Sequence, residues 1–235
     1  MSKVKTFFKS FTAFEYLLWG GSVLAIVLSF VLCGNKSYLN LVGSLIGVTA
    51  LIFIAKGNVI GNCLIVGFAV LYGVISYLSA YYGEMITYLG MSAPASIAAI
   101  VMWLRHPFQG KKTQVEVNRL SAKEYVLSFL VSCLLTIAFY FILDALGTAN
   151  IVWSTVSVLT SLYASYLNIR RSPAYAFAYC INDIVLIVLW ALLSVDDNSF
   201  ICMAVCFAAF LANDLYGFIN WLKMRRKQHQ TKTEE

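Results

Sequence analysis

Five polar residues within one apolar stretch point to the chemistry this chain can do. Ser154, Ser157, Ser161, Ser165 and Asn168 recur at intervals of 3, 4, 4 and 3. At about 100° per residue, such positions form one stripe along a helix. A stripe of this kind either packs closely against another helix, because small hydroxyl residues let backbones approach, or lines a polar path. The following apolar stretch places Tyr179, Asp183 and Trp190 on one face with Asn182 beside it, and the last stretch adds Asn213, Asp214 and Tyr216. A mid-span carboxylate costs roughly 2.5 to 3.5 kcal/mol on insertion scales, so Asp183 is expected to be hydrogen-bonded, protonated or near water. Rings beside amides, hydroxyls and carboxylates suit reversible binding of a flat, uncharged or cationic heterocycle carrying hydroxyls. The rings would stack on the base while Asn, Asp and Ser hold the hydroxyls. The candidate substrate-binding set is Ser157, Ser161, Ser165, Tyr179, Asn182, Asp183, Trp190, Asn213, Asp214 and Tyr216.

Other chemistries lack their residues. The sequence has no glycine-rich phosphate loop, His-Glu metal cluster or Ser/His/Asp arrangement. His106 and His229 sit in basic segments. The six cysteines (Cys33, Cys63, Cys133, Cys180, Cys202, Cys206) fall within or at the ends of apolar stretches without metal-ligand spacing, and read as small apolar fillers. No catalytic residue, metal ligand or cofactor is assigned, and an enzyme is not expected. A membrane enzyme acting on lipids or prenyl chains would need clustered acids or histidines, and Asp196–Asp197 is the only exposed acidic pair beside a span.

The elements that must position these residues are membrane spans. Mean hydropathy is +0.78, with 60% hydrophobic and 12% charged residues, which indicates an integral membrane protein. Eight stretches are long and apolar enough to cross as helices: Tyr16–Leu32, Tyr38–Ala55, Val59–Ser79, Ile86–Leu104, Lys123–Leu146, Ile151–Asn168, Pro173–Ser194 and Ser199–Leu222. Pro94, in the fourth, weakens the hydrogen-bond ladder and could form a hinge. Residues 4–15 carry basic and aromatic residues at helical spacing and are expected to lie along the cytoplasmic interface. No small-residue cleavage site follows the first apolar run, so no cleavable signal peptide is expected.

The connections alternate in charge. Basic residues mark the N-terminus, the second loop (Lys56), the fourth (Arg105 to Lys123), the sixth (Arg170, Arg171) and the tail; Glu84, Asp144 and Asp196–Asp197 mark loops between them. With both termini cytoplasmic, 16 of the 17 Lys and Arg residues fall on the cytoplasmic side, Lys36 excepted, as the positive-inside bias requires. Basic ends beside anionic membrane lipid account for the net charge of +6, and no nucleic-acid partner is needed.

A repeat runs through the chain. The fourth span ends in IVMWLRH (100–106) and the eighth in FINWLKM (218–224), so Trp103 and Trp221 match at an offset of 118; Tyr72 and Trp190 match at the same offset. Trp103, Trp221 and Tyr81–Tyr82 are expected to anchor at the membrane interface. The reading is an all-α integral membrane protein of eight helices: one leading helix, three helices, one connecting helix and three more in parallel orientation. Parallel three-helix repeats are one plan for transporters, with a site near midplane where the halves meet. The expected units are an amphipathic segment (1–15), a leading helix (16–34), a first repeat (36–106), a loop and connecting helix (107–147), a second repeat (151–224) and a basic tail (225–235).

The chain resembles the PnuC family of bacterial vitamin transporters, whose best-known members carry nicotinamide riboside. The resemblance covers about residues 36–225. It rests on YGE (82–84), Pro94 and the Trp103 exit, the arginine pair after the sixth span, Asn182–Asp183 and Trp190 in the seventh, and ANDLYGFINW (212–221). It implies a 3+1+3 core related to SWEET sugar transporters, a homotrimer in the bacterial inner membrane, and facilitated diffusion with trapping of the cargo by a separate cytoplasmic kinase. Asp183 matches a family Asn or Asp. Ser165 stands where the family usually has glutamine, Ala176 and Tyr179 stand where it has two tryptophans, and Tyr88 and Ser96 replace Asn and Gln of the fourth span. The functional expectation is uptake of a nucleoside-like vitamin precursor, with nicotinamide riboside the family default. The same scaffold carrying thiamine, riboflavin or a (deoxy)nucleoside is the alternative. Proton coupling through Asp183 or Asp214 is a mechanistic option, and a non-transporting sensor or assembly subunit is the rival class.

Overall fold

A computed structural model of the protein describes residues 11–33, 38–78, 85–148, 150–195 and 198–234. It has eight long helices among those residues: α1 (Ala13–Leu32), α2 (Tyr38–Ala55), α3 (Val59–Leu78), α4 (Ala93–Arg105), α5 (Ala122–Ala145), α6 (Ile151–Ile169), α7 (Ala174–Leu193) and α8 (Ile201–Glu234). With the turn that precedes α4 counted in, seven are long and apolar enough to cross a membrane. The eighth, α6, carries the serine stripe, which lowers its hydropathy. The protein is a multi-pass membrane protein. The expectations for Lys3, Lys5, Lys9, Lys36, Tyr81, Tyr82, Glu84, Asp196 and Asp197 lie outside the described residues.

Helix packing forms a closed ring in the order α2, α3, α4, α6, α7, α8 and back to α2. Helix α1 lies outside this ring against α2 and α8, and α5 lies outside against α6. Two apolar clusters hold the ring together. One is built around Phe68, Tyr72, Tyr88, Trp190 and Phe210, and the other around Trp103, Tyr175, Leu167 and Trp221. Tyr72 and Trp190, matched by the sequence offset, meet edge-to-face in the first cluster with centroids 6.4 Å apart.

The loops after α2, α4 and α6 gather at one end. There Val115 N–H donates to Gly57 O, Glu116 N–H to His106 O, and Asn118 N–H to Arg171 O, over 2.9–3.0 Å. This end collects Lys56, Arg105, Arg119, Arg170 and Arg171, as the alternation of loop charges predicts.

Four details differ from the sequence reading. First, residues 107–115 form a small hairpin, β1 (Pro107–Phe108) with β2 (Lys111–Val115), in an otherwise helical chain. Gln109 and Gly110 both have positive φ, as two-residue hairpin turns of the primed type require. Second, α8 does not stop near Leu222 but continues as helix through the basic tail to Glu234. No Gly or Pro interrupts residues 218–234, so nothing in the chain ends the helix, and Gln228 ties the extension to the hairpin strand. Third, α1 begins at Ala13 under a capping box in which Thr12 and Glu15 exchange hydrogen bonds. Residues 12–15 therefore start a span rather than finish an interfacial segment. Fourth, Trp103 and Trp221 are not interface anchors: both are buried, 2% and 0% exposed, with ring centroids 5.3 Å apart. Their indole N–H groups find backbone carbonyls in the interior, which satisfies the one polar atom of each ring.

Candidate functional site

A cavity lies between the two apolar clusters, lined by residues of all six ring helices. Helix α6 contributes Ser157, Ser161, Ser165 and Asn168 to its wall, α7 contributes Tyr175, Tyr179, Asn182 and Asp183, and α8 contributes Phe207, Phe210 and Asp214. The opposite wall comes from Leu51 and Ile54 of α2, Phe68 of α3, Ser96 of α4 and the turn before α4. That turn, Thr87–Ser92, is a π-helical bulge in which Ala93 N–H reaches back to Tyr88 O. Such bulges widen a helix locally and re-aim its side chains. Here the bulge, followed by Pro94, brings Thr87, Tyr88 and Ser92 to the cavity.

Part of the serine stripe packs and part faces the cavity. Thr160 and Ser161 donate to Asn182 Oδ1 at 2.7 and 2.9 Å. Their bonds engage the oxygen of the Asn182 carboxamide. Ser165 Oγ and Tyr179 OH lie 3.0 Å apart, and Asn168 Nδ2 donates to Asn62 Oδ1 of α3 at 2.9 Å. Trp103 of α4 donates to Asn168 O on α6 at 3.0 Å, and Trp221 of α8 donates to Ile54 O on α2 at 2.8 Å. Each tryptophan thus bonds to the end of the neighbouring helix in the ring, α4 to α6 and α8 to α2. Together with Tyr175, which packs on Trp221 at 4.9 Å, the pair closes the ring toward its basic end.

The electrostatics are one-sided. Asp183 is 3% exposed, and its Oδ2 has no hydrogen-bond partner among the described residues. The Asp214 side chain lies against it. No lysine, arginine or histidine lines the cavity among the described residues. A buried acceptor without a partner carries a desolvation cost that a donor-bearing or cationic guest would offset. With Phe68, Tyr88, Tyr179 and Phe210 supplying flat faces, the cavity can hold an aromatic cation bearing hydroxyls.

The structure gathers seven of the ten sequence candidates into this wall: Ser157, Ser161, Ser165, Tyr179, Asn182, Asp183 and Asp214. It places the other three elsewhere. Trp190 packs with Tyr72 and Phe200. Asn213 donates to Ser22 Oγ and Ala209 O. Tyr216 OH donates to Glu15 Oε1 at 2.7 Å. Asn213 and Tyr216 bond to the leading helix α1, on the outer side of α8; helical spacing separates them from Asp214 but cannot say which face meets the cavity. The candidate set left out Thr87, Ser92, Phe68, Phe207, Phe210 and Tyr175, and the resemblance alone pointed to Tyr88 and Ser96; all of them line the wall. Ser92 and Ser96, four apart, were the available signal for the first half; the aromatics have no signal that distinguishes them from core.

Comparisons with known proteins follow the same lines. Residues 37–223 match the family model described as nicotinamide mononucleotide transporter. A nicotinamide riboside transporter PnuC of Neisseria mucosa is 28% identical over 227 residues, covering 94% of this chain and 85% of that one. A protein of the same name from Haemophilus influenzae is 24% identical over 194 residues, covering 81% and 82%. The crystal structure of the vitamin B3 transporter PnuC superposes with a TM-score of 0.81 at 24% identity, covering 93% of this chain and 94% of the other. That superposition shows the fold.

Proposed function

Because the chain belongs to the nicotinamide mononucleotide transporter family, we propose that it carries nicotinamide riboside across the membrane by facilitated diffusion. The observation that carries this reading is the one-sided cavity. Two carboxyl groups, one with an unpartnered oxygen, face a space walled by aromatic rings and hydroxyls, and no basic residue faces it among the described residues. Nicotinamide riboside is a pyridinium cation with a carboxamide and three ribose hydroxyls. Its charge suits the carboxylates, its ring suits the aromatic faces, and its hydroxyls and amide suit Ser161, Ser165 and Asn182. The phosphorylated mononucleotide is poorly matched, since its phosphate would meet Asp183 and Asp214 without a compensating cation.

The ring is read as two parallel three-helix repeats, α2–α4 and α6–α8, joined by α5. The reciprocal bonds of Trp103 and Trp221, and the equivalence of the α4–α6 and α8–α2 seams, support that reading. On the same reading the basic end is cytoplasmic, both termini are inside, and the site is the inner membrane of a bacterium. A homotrimer and trapping of the cargo by a cytoplasmic kinase complete the proposal.

The test is uptake by purified protein in liposomes, for nicotinamide riboside, thiamine, riboflavin and deoxynucleosides in turn. Saturable nicotinamide riboside flux that Asp183→Asn abolishes is expected, without dependence on a proton gradient. Flux of another solute alone would reassign the cargo, with Ser165, Ala176 and Tyr179 as the place to look. Binding without flux of any solute would favour the sensor reading.

A further inference from the structure

A second site lies outside the ring, at its basic end. The segment 115–121, which follows the hairpin, runs beside the extension of α8, and the two enclose a groove. Its walls include Arg119, Tyr125, Arg225 and Arg226, and the hollow continues past Asn118 and Arg225 to His229. Basic residues at this end satisfy the positive-inside bias wherever they sit. What that bias does not require is a built framework, and this groove has one.

Gln228, 5% exposed, accepts from Val117 N–H through Oε1 at 2.8 Å and donates from Nε2 to Val115 O at 3.0 Å. Asn118 N–H donates to Arg171 O at 3.0 Å, and Arg171 Nη1 donates to Glu116 O at 3.2 Å. Tyr125 is held by Ser172 at 2.7 Å. Both walls are thus tied to the ends of the ring helices, and the guanidinium groups project from fixed backbone. None of Arg119, Arg225 and Arg226 makes an ion pair among the described residues. Among the described residues one carboxylate lines the groove, Glu116, and it acts on Arg171: burial is the main influence and pulls that guanidinium below its ordinary range, and Glu116 opposes the shift.

We infer that this groove binds a phosphomonoester at Arg119, Arg225 and Arg226, presented either by a soluble sugar or nucleoside phosphate or by an anionic lipid headgroup. Three arginines from two elements line one hollow, and guanidinium groups hold the oxygens of a tetrahedral dianion by charge-assisted, partly bidentate hydrogen bonds. A carboxylate offers too few oxygens for three forks. The tyrosine hydroxyl and the His229 imidazole flank the position and add polar contacts for whatever bears the phosphate.

The experiment uses the full chain in nanodiscs, with two arms. In the first, the lipid is phosphatidylcholine, and ribose 5-phosphate or inorganic phosphate is titrated while thermal stability and bound probe are measured. In the second, phosphatidic acid is introduced and co-purifying lipid is counted by native mass spectrometry. Each arm compares the parent with Arg119→Gln/Arg225→Gln and with Lys223→Gln/Lys227→Gln, which removes the same charge from exposed positions outside the groove. Saturable binding in either arm, weakened about tenfold or more by the arginine pair and retained by the lysine pair, is the expected result. The arm in which it appears identifies the source. Equal weakening by both pairs would reduce the effect to bulk charge and overturn the proposal, as would absence of binding in both arms. Folding of each variant is checked by its retention of solute flux or binding in the main cavity.

Discussion

Substituting Lys56 by methionine should weaken the attachment of the leading helix to the ring at its first turn. Glu15, in the first turn of α1, is 2% exposed. Lys56 Nζ holds both its carboxylate oxygens at 3.0 Å, Tyr216 OH donates to it at 2.7 Å, and Thr12 N–H completes the shell at 2.6 Å. At that ion-pair distance, Coulomb's law with an effective dielectric of about 20 gives an attraction of about 5 kcal/mol. The Lys56 side chain is 20% exposed and Glu15 only 2%, so deleting the lysine leaves the buried member of the pair without its counter-charge. That loss costs about 3–5 kcal/mol, equivalent to a fall in Tm of about 6–20 °C for a chain of this size. Removing both charges should be far milder. Glu15→Gln/Lys56→Met keeps an acceptor for Tyr216 and leaves no unpaired ion, and is expected within about 2 kcal/mol of the parent. The assay is thermal unfolding of the purified protein in detergent for the parent, both single variants and the double, read as a cycle. If Lys56→Met unfolds within a degree or two of the parent, or if the two single effects simply add, the account of a buried, mutually dependent pair is refuted.

Three further outcomes follow from the same contacts. Asp183→Asn should leave folding intact while lowering uptake of a cationic cargo at least about tenfold, since it removes a carboxyl group from the cavity wall but keeps shape and an acceptor; the same flux in Asp214→Asn tells which carboxyl meets the cargo. Trp221→Phe removes one of two donors to Ile54 O, which keeps the Gly57 N–H at 2.8 Å, and should cost about 0.5–1.5 kcal/mol in unfolding measurements; a raised passive leak in liposomes would be the functional sign that the tryptophan pair closes the basic end. Gly61→Ala should be poorly folded in a size-exclusion assay, because its methyl would come 2.7 Å from Ala50 O and Ile54 N of α2, an overpacking cost of about 1–3 kcal/mol. Gly67→Ala on the same helix meets nothing within 4 Å and should behave as the parent.

Much of the fold was legible because bilayer physics writes it in composition. Stretches of about twenty apolar residues must be helices, and the alternation of basic and acidic loops reads out which connections share an end. The contacts among Gly57, Val115, His106, Glu116 and Arg171 bear out that shared end. The polar stripe of α6 was legible for the same reason, since hydroxyls at intervals of three and four have one face to share. The hairpin was not, because a two-residue strand leaves no periodicity to detect, and the helical tail was not, because charge alone marks a segment as leaving the membrane without saying what shape it keeps.

The candidate site divides along a sharper line. Helical spacing put Asp183, Asp214, Tyr179 and the serines on faces that avoid lipid, and that much belongs to the sequence. It could not say what each face meets. Asn213, Asp214 and Tyr216 sit within one turn of α8, yet Asp214 faces the cavity, while Asn213 and Tyr216 reach residues 191 and 201 positions earlier in the chain, on α1. Trp103 and Trp221 carry the composition of interface anchors, and only their meeting across the ring makes them an internal seal. A period fixes an angle around one helix axis; the partner at that angle is set by how the other helices close the ring. The need to bury polar groups was written in the chain, and the choice of which would satisfy one another, and which would be left facing a cargo, was made by tertiary packing.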